Sequence, residues 1–314
     1  MARRLRVASR IPVARRLRVA RIRVVRRIRR ARLPPDEGLT RPTSPTAYGE
    51  RVVIPVYDSN PTRRRPYVTW ALIAVNVVVF LISPVAGAPL LGEPSTARLC
   101  AQQAYFLQWG AVPAELTSNR PLDYTFGAPA GENECVAAVP DYRKQPWLSS
   151  ITAIFVHGGW LHLLGNMLFL WVFGNNVEDR FGRLRFLLFY LAVGAISTYA
   201  FALTGPDSVQ PLVGASGAVS GVLGAYLLLF PRARVLSLVS FFFFLPLRLP
   251  AWLVLGFYFV LQAFYAAGAG LAGGGTVAYL VHVVGFLLGV AVVAALRGRL
   301  RPPPAAPRWA PGYR

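Results

Sequence analysis

Residues 214–230 read GASGAVSGVLGAYLLLF, an apolar run long enough to span a membrane that opens with a serine between small residues. A second apolar run, YLVHVVGFLLG at residues 279–289, contains a single histidine. Polar side chains are costly inside a bilayer, and those that occur there mark functional sites. Ser216 and His282 are therefore candidates for a nucleophile and its base.

The composition is typical of a membrane protein. Of 314 residues, 54% are hydrophobic and 15% charged, and the mean hydropathy is +0.44. The formal net charge of +21 arises mostly from residues 1–33, which hold fourteen arginines and no acidic residue. A scan for runs of about 20 apolar residues finds several candidate spans. These lie near residues 67–87, 159–177, 184–204, 214–230, 250–268 and 276–296. The predicted fold is an all-α, polytopic six-helix bundle.

Basic residues predict the orientation of these spans. Arginines precede the first span, lie between spans two and three and between spans four and five, and follow the last span. The short connections near residues 205–213 and 269–275 contain no Lys or Arg. Because positively charged segments stay on the cytoplasmic side, both termini are predicted to be cytoplasmic, with a long outer loop at about residues 88–158.

Polar residues of three spans are predicted to lie at one depth. His162, Ser216 and His282 each lie 15 or 16 residues before the first charged residue at the cytoplasmic end of their spans. At 1.5 Å per residue this separation is roughly 22 to 24 Å. Asn166 lies one turn further in, on the same helix face as His162.

Small residues predict which spans touch. Glycine occurs four times between residues 214 and 224, and Gly285 and Gly289 lie four apart in the last span. Such patterns let membrane helices approach closely. A close approach of spans four and six would bring the Ser216 hydroxyl near the His282 imidazole.

This arrangement suits acyl transfer. A serine hydroxyl needs a base to take its proton, and the intermediate needs hydrogen-bond donors for its oxyanion. The candidate donors are the His162 ring N–H, the Asn166 amide, and the free backbone N–H groups around Gly214 and Ser216 where a helix begins. No Asp or Glu lies within any span, so a Ser-His dyad is predicted. Neither a cofactor nor a metal ion is expected.

The chain carries three motifs in order, on spans two, four and six. HGGWLHLLGN at residues 157–166, GASG at residues 214–217, and His282 with Gly285 downstream resemble the rhomboid intramembrane serine proteases. The resemblance covers about residues 67–297 and implies a six-helix core.

The resemblance also implies roles for individual residues. Ser216 corresponds to the nucleophile and His282 to the base, while His162 and Asn166 correspond to residues around the oxyanion. His157 matches an earlier family histidine, with a supporting or structural role. Proteins of this family cut transmembrane protein substrates in the lipid bilayer without a cofactor.

Three positions depart from the family pattern. Val281 and Val284 stand where smaller residues are frequent, which predicts a looser contact between spans four and six. Ser220 stands where some members have an aromatic ring, so the imidazole of His282 is expected to be steadied differently.

The predicted domains are three. Residues 1–60 are expected to form a disordered, Arg-rich cytoplasmic tail and linker, residues 61–300 the rhomboid protease domain, and residues 301–314 a Pro-rich cytoplasmic tail. The arginines of residues 1–33 either contact anionic lipid headgroups or form a dispensable tail. Nucleic acid is not expected as a partner, because no aromatic residues are interleaved with the arginines.

Two pairs of residues complete the predictions. Cys100 and Cys135 both lie in the long loop and either form a disulfide or remain free thiols. Glu178 and Asp179 are expected to form a solvated cytoplasmic turn.

The main prediction is an intramembrane serine endopeptidase, placed in a bacterial plasma membrane by its bare six-span layout. A catalytically silent rhomboid-like protein that binds membrane clients is the alternative. A small transporter is disfavoured, since it would call for inverted repeats and carboxylates within the spans, and the sequence shows neither.

Overall fold

The computed structural model describes residues 53–87, 95–122, 144–240, 244–272 and 279–301. All of them lie in the compact unit Gly49–Arg314. The α-helices are α1 (Tyr67–Leu81), α2 (Thr96–Trp109), α3 (Pro113–Ser118), α4 (Pro146–Thr152), α5 (Trp160–Phe181), α6 (Arg183–Ala202), α7 (Ser216–Leu229), α8 (Ala251–Ala272) and α9 (Tyr279–Leu296). The strands are β1 (Val53–Asp58), β2 (Arg234–Ser240) and β3 (Phe244–Pro250), and short 3₁₀ helices occupy Ala153–Phe155 and Arg297–Arg299.

The mostly helical fold is confirmed, and helices α1 and α5 to α9 coincide with the predicted apolar runs. Three helical segments are long and apolar enough to cross a membrane: Arg183–Ala202, Ala251–Gly268 and Tyr279–Arg299. A bent pair, Pro146–Phe155 with Trp160–Phe181, forms a fourth candidate span with an angle of 82° between its halves. Helices α1 and α7 are apolar but shorter.

A three-stranded antiparallel sheet corrects the all-α prediction. Its strand order is β1-β2-β3, with Val53 paired to Val239 and Arg234 paired to Pro250. Strand β1 also falls inside the segment predicted to be disordered up to residue 60, so that boundary was wrong. The backbone groups of β1 find their partners about 180 residues further along the chain, and such pairing leaves little local signal in the sequence. Residues 1–52 lie outside the described residues.

The long first loop contains helices α2, α3 and α4, which are joined by a buried ion pair. Lys144 Nζ lies 2.6 Å from a carboxylate oxygen of Glu115 and donates a further hydrogen bond of 2.7 Å to the Leu107 carbonyl. Burial lowers the pKa of Lys144, and the adjacent Glu115 carboxylate opposes that shift. Cys100 is disulfide-bonded, and Cys135, the only other cysteine, lies outside the described residues.

Glu178 is buried, which corrects the prediction of a solvated turn. Its carboxylate accepts hydrogen bonds from the backbone N–H groups of Val68 (3.1 Å) and Thr69 (2.7 Å) and from the Thr69 hydroxyl (2.8 Å). Helix α1 has no acidic residue in its own first turn. A carboxylate from α5 therefore satisfies the free N–H groups at the start of α1 and complements the helix dipole there.

Candidate active site

Helices α7 and α9 pack through a seam of glycines, which we call the glycine seam: Gly217, Gly221 and Gly224 of α7 with Gly285 and Gly289 of α9. A Cβ added at Gly285 would overlap the Gly217 carbonyl oxygen, and one at Gly289 would overlap the Gly221 carbonyl oxygen. The two backbones are thus in direct contact, as the small-residue pattern predicts. Since Gly217 faces Gly285 and Gly221 faces Gly289, the two helices run in the same direction.

Ser216 is the first residue of α7, at the end of an anchored loop. Gly214 has a φ of +125°, a conformation that side chains with a Cβ rarely adopt. Its N–H donates a 2.9 Å hydrogen bond to the Ala153 carbonyl, and Leu212 pairs with Ala111. The first N–H groups of a helix have no partner within it, so free N–H groups lie at the end of α7 where Ser216 stands.

His162 of α5 lies against this loop. A Cβ added at Gly214 would lie 2.6 Å from His162 Nε2 and 3.7 Å from Ser216 Oγ, so the ring and the hydroxyl converge beside this glycine. The Gly158 N–H donates to His162 Nδ1 at 3.3 Å. Because Nδ1 acts as an acceptor, the neutral ring carries its hydrogen on Nε2, the atom that faces Gly214.

The other two predicted residues of α5 and its preceding loop have different surroundings. The Asn166 amide donates a 3.0 Å hydrogen bond to the His162 carbonyl of its own helix. His157 is 1% exposed, and its ring centroid lies 5.1 Å from that of His162. Among the described residues neither ring nitrogen of His157 has a hydrogen-bond partner. The structure therefore brings Ser216, Gly214 and His162 together and leaves the Asn166 amide bonded within its helix.

His282 lies in the first turn of α9, one turn before Gly285. Its ring is half-buried, and Nδ1 lies 2.6 Å from Oε1 of Gln262 on α8. The Tyr279 ring stands edge-on to it, with a centroid distance of 6.3 Å and an interplanar angle of 89°. Within the described residues no hydrogen bond joins His282 to Ser216.

Helix α8 contributes two contacts that the sequence reasoning missed. The first is the contact of Gln262 with His282. In the second, the Tyr258 hydroxyl lies 2.8 Å from Ser220 Oγ on α7. The sequence did mark Gln262 as a candidate functional residue, because it is the only amide side chain in the otherwise apolar helix α8. Nothing in the sequence, however, indicated which neighbour it meets.

The valine next to His282 does not hold the two helices apart. A Cβ at Gly217 would lie 2.7 Å from Val281 Cγ1, so the valine side chain occupies the space that this glycine leaves open. Val281 and Val284 predicted a looser contact between the two helices. At Gly217 and Gly285 the contact is close, so that prediction was wrong there. In the described ranges, no group of three or more His, Cys, Asp or Glu residues is arranged to hold a metal ion.

Comparison with known proteins decides the family. Residues 144–299 match the family model of the Rhomboid domain, a stretch that begins at Lys144 and includes every candidate site residue. The chain belongs to the rhomboid family. This rhomboid protein therefore places its family domain on α4 to α9, with α1 to α3 and strand β1 lying before the matched region.

Relatives occur in bacteria and in eukaryotic organelles. The chain is 34% identical over 172 residues to Rhomboid protein 1, mitochondrial, of Saccharomyces cerevisiae, covering 52% of this chain and 47% of that protein. It is 32% identical over 163 residues to Rhomboid protease GluP of Bacillus subtilis, covering 52% and 24%. Rhomboid-like protein 11, chloroplastic, of Arabidopsis thaliana is 34% identical over 165 residues, covering 48% and 54%. The chain thus spans about half the length, or less, of these relatives.

Proposed function

We propose that this rhomboid protein is an intramembrane serine endopeptidase in which Ser216 is the nucleophile and His282 the base. The observation that carries the proposal is the glycine seam. Ser216 adjoins Gly217, His282 lies one turn before Gly285, and these two glycines are in backbone contact. The hydroxyl and the imidazole therefore lie at neighbouring ends of two helices that cannot pack more closely.

The proposed chemistry is acyl transfer. Ser216 Oγ attacks the substrate carbonyl as its proton passes to His282 Nε2, and His282 then gives that proton to the leaving amine as the C–N bond breaks. Water hydrolyses the acyl-enzyme by the same route. The Ser216–His282 hydrogen bond that this step needs is expected to form with the substrate bound, since such bonds are often long in unliganded enzymes.

Donors for the oxyanion come from two sources in this proposal. The N–H groups at the start of α7 favour negative charge, and the Nε2–H of His162 faces the same space beside Gly214. We assign the Asn166 amide as a further donor, which would have to exchange its bond to the His162 carbonyl for one to the substrate. His157 supports His162 through ring contact.

The proposal extends to the membrane and to partners. Helices α1 and α5 to α9 are the six spans, with both termini on the cytoplasmic side as the arginine distribution predicts. Transmembrane proteins are the substrate class, and residues 1–33 keep both alternatives, contact with anionic lipid headgroups and a dispensable tail. We place the protein in a bacterial plasma membrane.

Labelling with a serine-directed fluorophosphonate tests the nucleophile, and cleavage of a single-span protein in proteoliposomes tests turnover. Ser216→Ala should abolish both, and His282→Ala should abolish cleavage, because each removes one member of the dyad. Ser220→Ala is the matched control, since Ser220 lies one turn further along α7 and bonds to Tyr258. The control should be labelled and should cleave.

Two outcomes would count against the proposal. Cleavage retained by purified Ser216→Ala would refute the nucleophile. Binding of membrane clients by a wild-type protein that neither cleaves nor becomes labelled would instead favour the catalytically silent alternative.

A further inference from the structure

Gln262 is the side chain through which α8 contacts the proposed base. Its Oε1 lies 2.6 Å from Nδ1 of His282, and both residues are half-buried. An amide oxygen only accepts hydrogen bonds, so in this arrangement the hydrogen of the neutral ring resides on Nδ1. The lone pair is then on Nε2, which is the nitrogen that must take the proton from Ser216.

We propose that Gln262 is a positioning residue that fixes the tautomer and the ring orientation of His282, an inference that rests on the proposed function. Helices α7, α8 and α9 contain no Asp or Glu that could hold the imidazole, so an uncharged amide supplies the acceptor. During the reaction the Nδ1–H stays bonded to Gln262 Oε1 while the proton from Ser216 binds Nε2 and later leaves with the amine.

The half of α8 that carries Gln262 is more exposed than the half before it. Among residues 256–268 of α8 no residue is buried, whereas Val254 and Leu255 earlier in the helix are 5% and 0% exposed. Aromatic rings of this half still pack against α9, with ring centroids 4.9 Å apart for Phe259 and Phe286 and 5.0 Å apart for Tyr265 and Tyr279. The hydrogen bond to Gln262 is the polar contact that α8 makes with the His282 ring.

Two residues of different kinds contact the His282 ring. Gln262 holds it at Nδ1, and the Tyr279 ring stands edge-on beside it.

A neighbouring residue provides the matched control. Tyr258 lies one turn before Gln262 on the same face of α8 and bonds to Ser220 rather than to His282. If α8 acted only as a structural support, loss of either side-chain bond would have the same effect. If Gln262 orients the base, only its own substitution changes the ring.

The experiment combines ring ¹⁵N NMR with steady-state cleavage. The protein has three histidines, so the ring nitrogens of His282 can be assigned by comparison with His282→Ala. Wild type should show a protonated Nδ1 and an unprotonated Nε2, and Gln262→Leu should shift the population toward the other tautomer.

Gln262→Leu should lower kcat by about 10- to 100-fold with KM changed by about twofold or less. Gln262→Glu keeps an acceptor oxygen and should recover most of kcat, while Tyr258→Phe should leave the His282 resonances unchanged.

The two proposals fail in different ways. Identical His282 resonances in wild type and Gln262→Leu would overturn the positioning role, whatever the activity. A kcat loss of equal size in Tyr258→Phe would also overturn it, in favour of structural support by α8. If wild type neither cleaves nor becomes labelled, the proposed function fails, and the tautomer measurement still decides whether Gln262 controls the ring, since it needs no substrate.

Discussion

Helix α7 is held by contacts of two different kinds. The glycine seam brings its backbone against α9, and among the described residues no side-chain hydrogen bond joins these two helices. Polar side chains attach it to α8 and to residues at the end of strand β1 and just beyond it. We call these the polar attachments: Ser220 with Tyr258, and Tyr226 with Asp58 and Asn60.

The difference teaches which features of the site depend on solution conditions. The glycine seam sets the distance between the helices that carry Ser216 and His282 by hard contact, which neither pH nor salt alters. The polar attachments contain an ionisable group. Asp58 is 7% exposed, and burial raises its pKa to about 6, although hydrogen bonds from Tyr226 and from backbone N–H groups oppose the shift. The distance is thus rigid, whereas the attachment at the far end of α7 responds to pH.

The largest effect is expected in the glycine seam. Gly285→Ala would place a Cβ against the Gly217 carbonyl oxygen, so the helices must separate. Unfolding free energy, measured by titration from mild detergent into a denaturing one, should fall by about 3 kcal/mol or more. Gly256→Ala on α8 is the matched control, because nothing lies within 4 Å of its added Cβ. Equal stability of the two variants would contradict the assignment of the seam as the rigid contact.

A smaller effect is expected at Asp58. Its carboxyl binds a proton more tightly in the folded protein than in the unfolded chain, since its pKa rises from 3.8 to about 6. The unfolded chain therefore loses its proton first, and the unfolding free energy should fall by about 2 kcal/mol as pH rises from 4 to 6. Asp58→Asn should remove this fall.

The control for Asp58 is another carboxylate. Asp207→Asn removes an exposed acidic group near α3 and should leave the fall between pH 4 and 6 in place. A fall that persists in Asp58→Asn would show that another group in the protein is responsible.

The smallest effect is expected at the attachment to α8. Tyr258→Phe removes the partner of the buried Ser220 hydroxyl and should lower the unfolding free energy by about 1 kcal/mol. A double-mutant cycle with Ser220→Ala measures the coupling energy between Tyr258 and Ser220. A coupling energy near zero would show that this hydrogen bond does not stabilise the fold.

Much of the fold was predictable because short-range sequence patterns determine it. Apolar runs predicted helices α1 and α5 to α9, since a helix satisfies its own backbone groups. The spacing of Gly217 and Gly221 and of Gly285 and Gly289 predicted the α7–α9 contact. The roles of Ser216 and His282 follow from residue type and remain predictions.

Other features needed contacts between distant segments. Strand β1 forms only because β2 supplies its partners, and Glu178 is buried only because it meets the start of α1. The segment up to residue 60 and the turn at Glu178 were misjudged for that reason. Depth and helix face predicted that the Asn166 amide lies at the oxyanion. Neither property reveals that the amide bonds to the His162 carbonyl.

By itself the sequence determined the membrane character, the apolar helices α1 and α5 to α9 and the residues capable of chemistry, because hydropathy and glycine spacing act over one or a few turns of helix. The tertiary structure decided which polar groups meet: His162 with Gly214, Glu178 with α1, and Gln262 with His282. These meetings depend on the rotation of each helix about its axis. That rotation is set by the packing of all neighbours together, so no single stretch of sequence contains it.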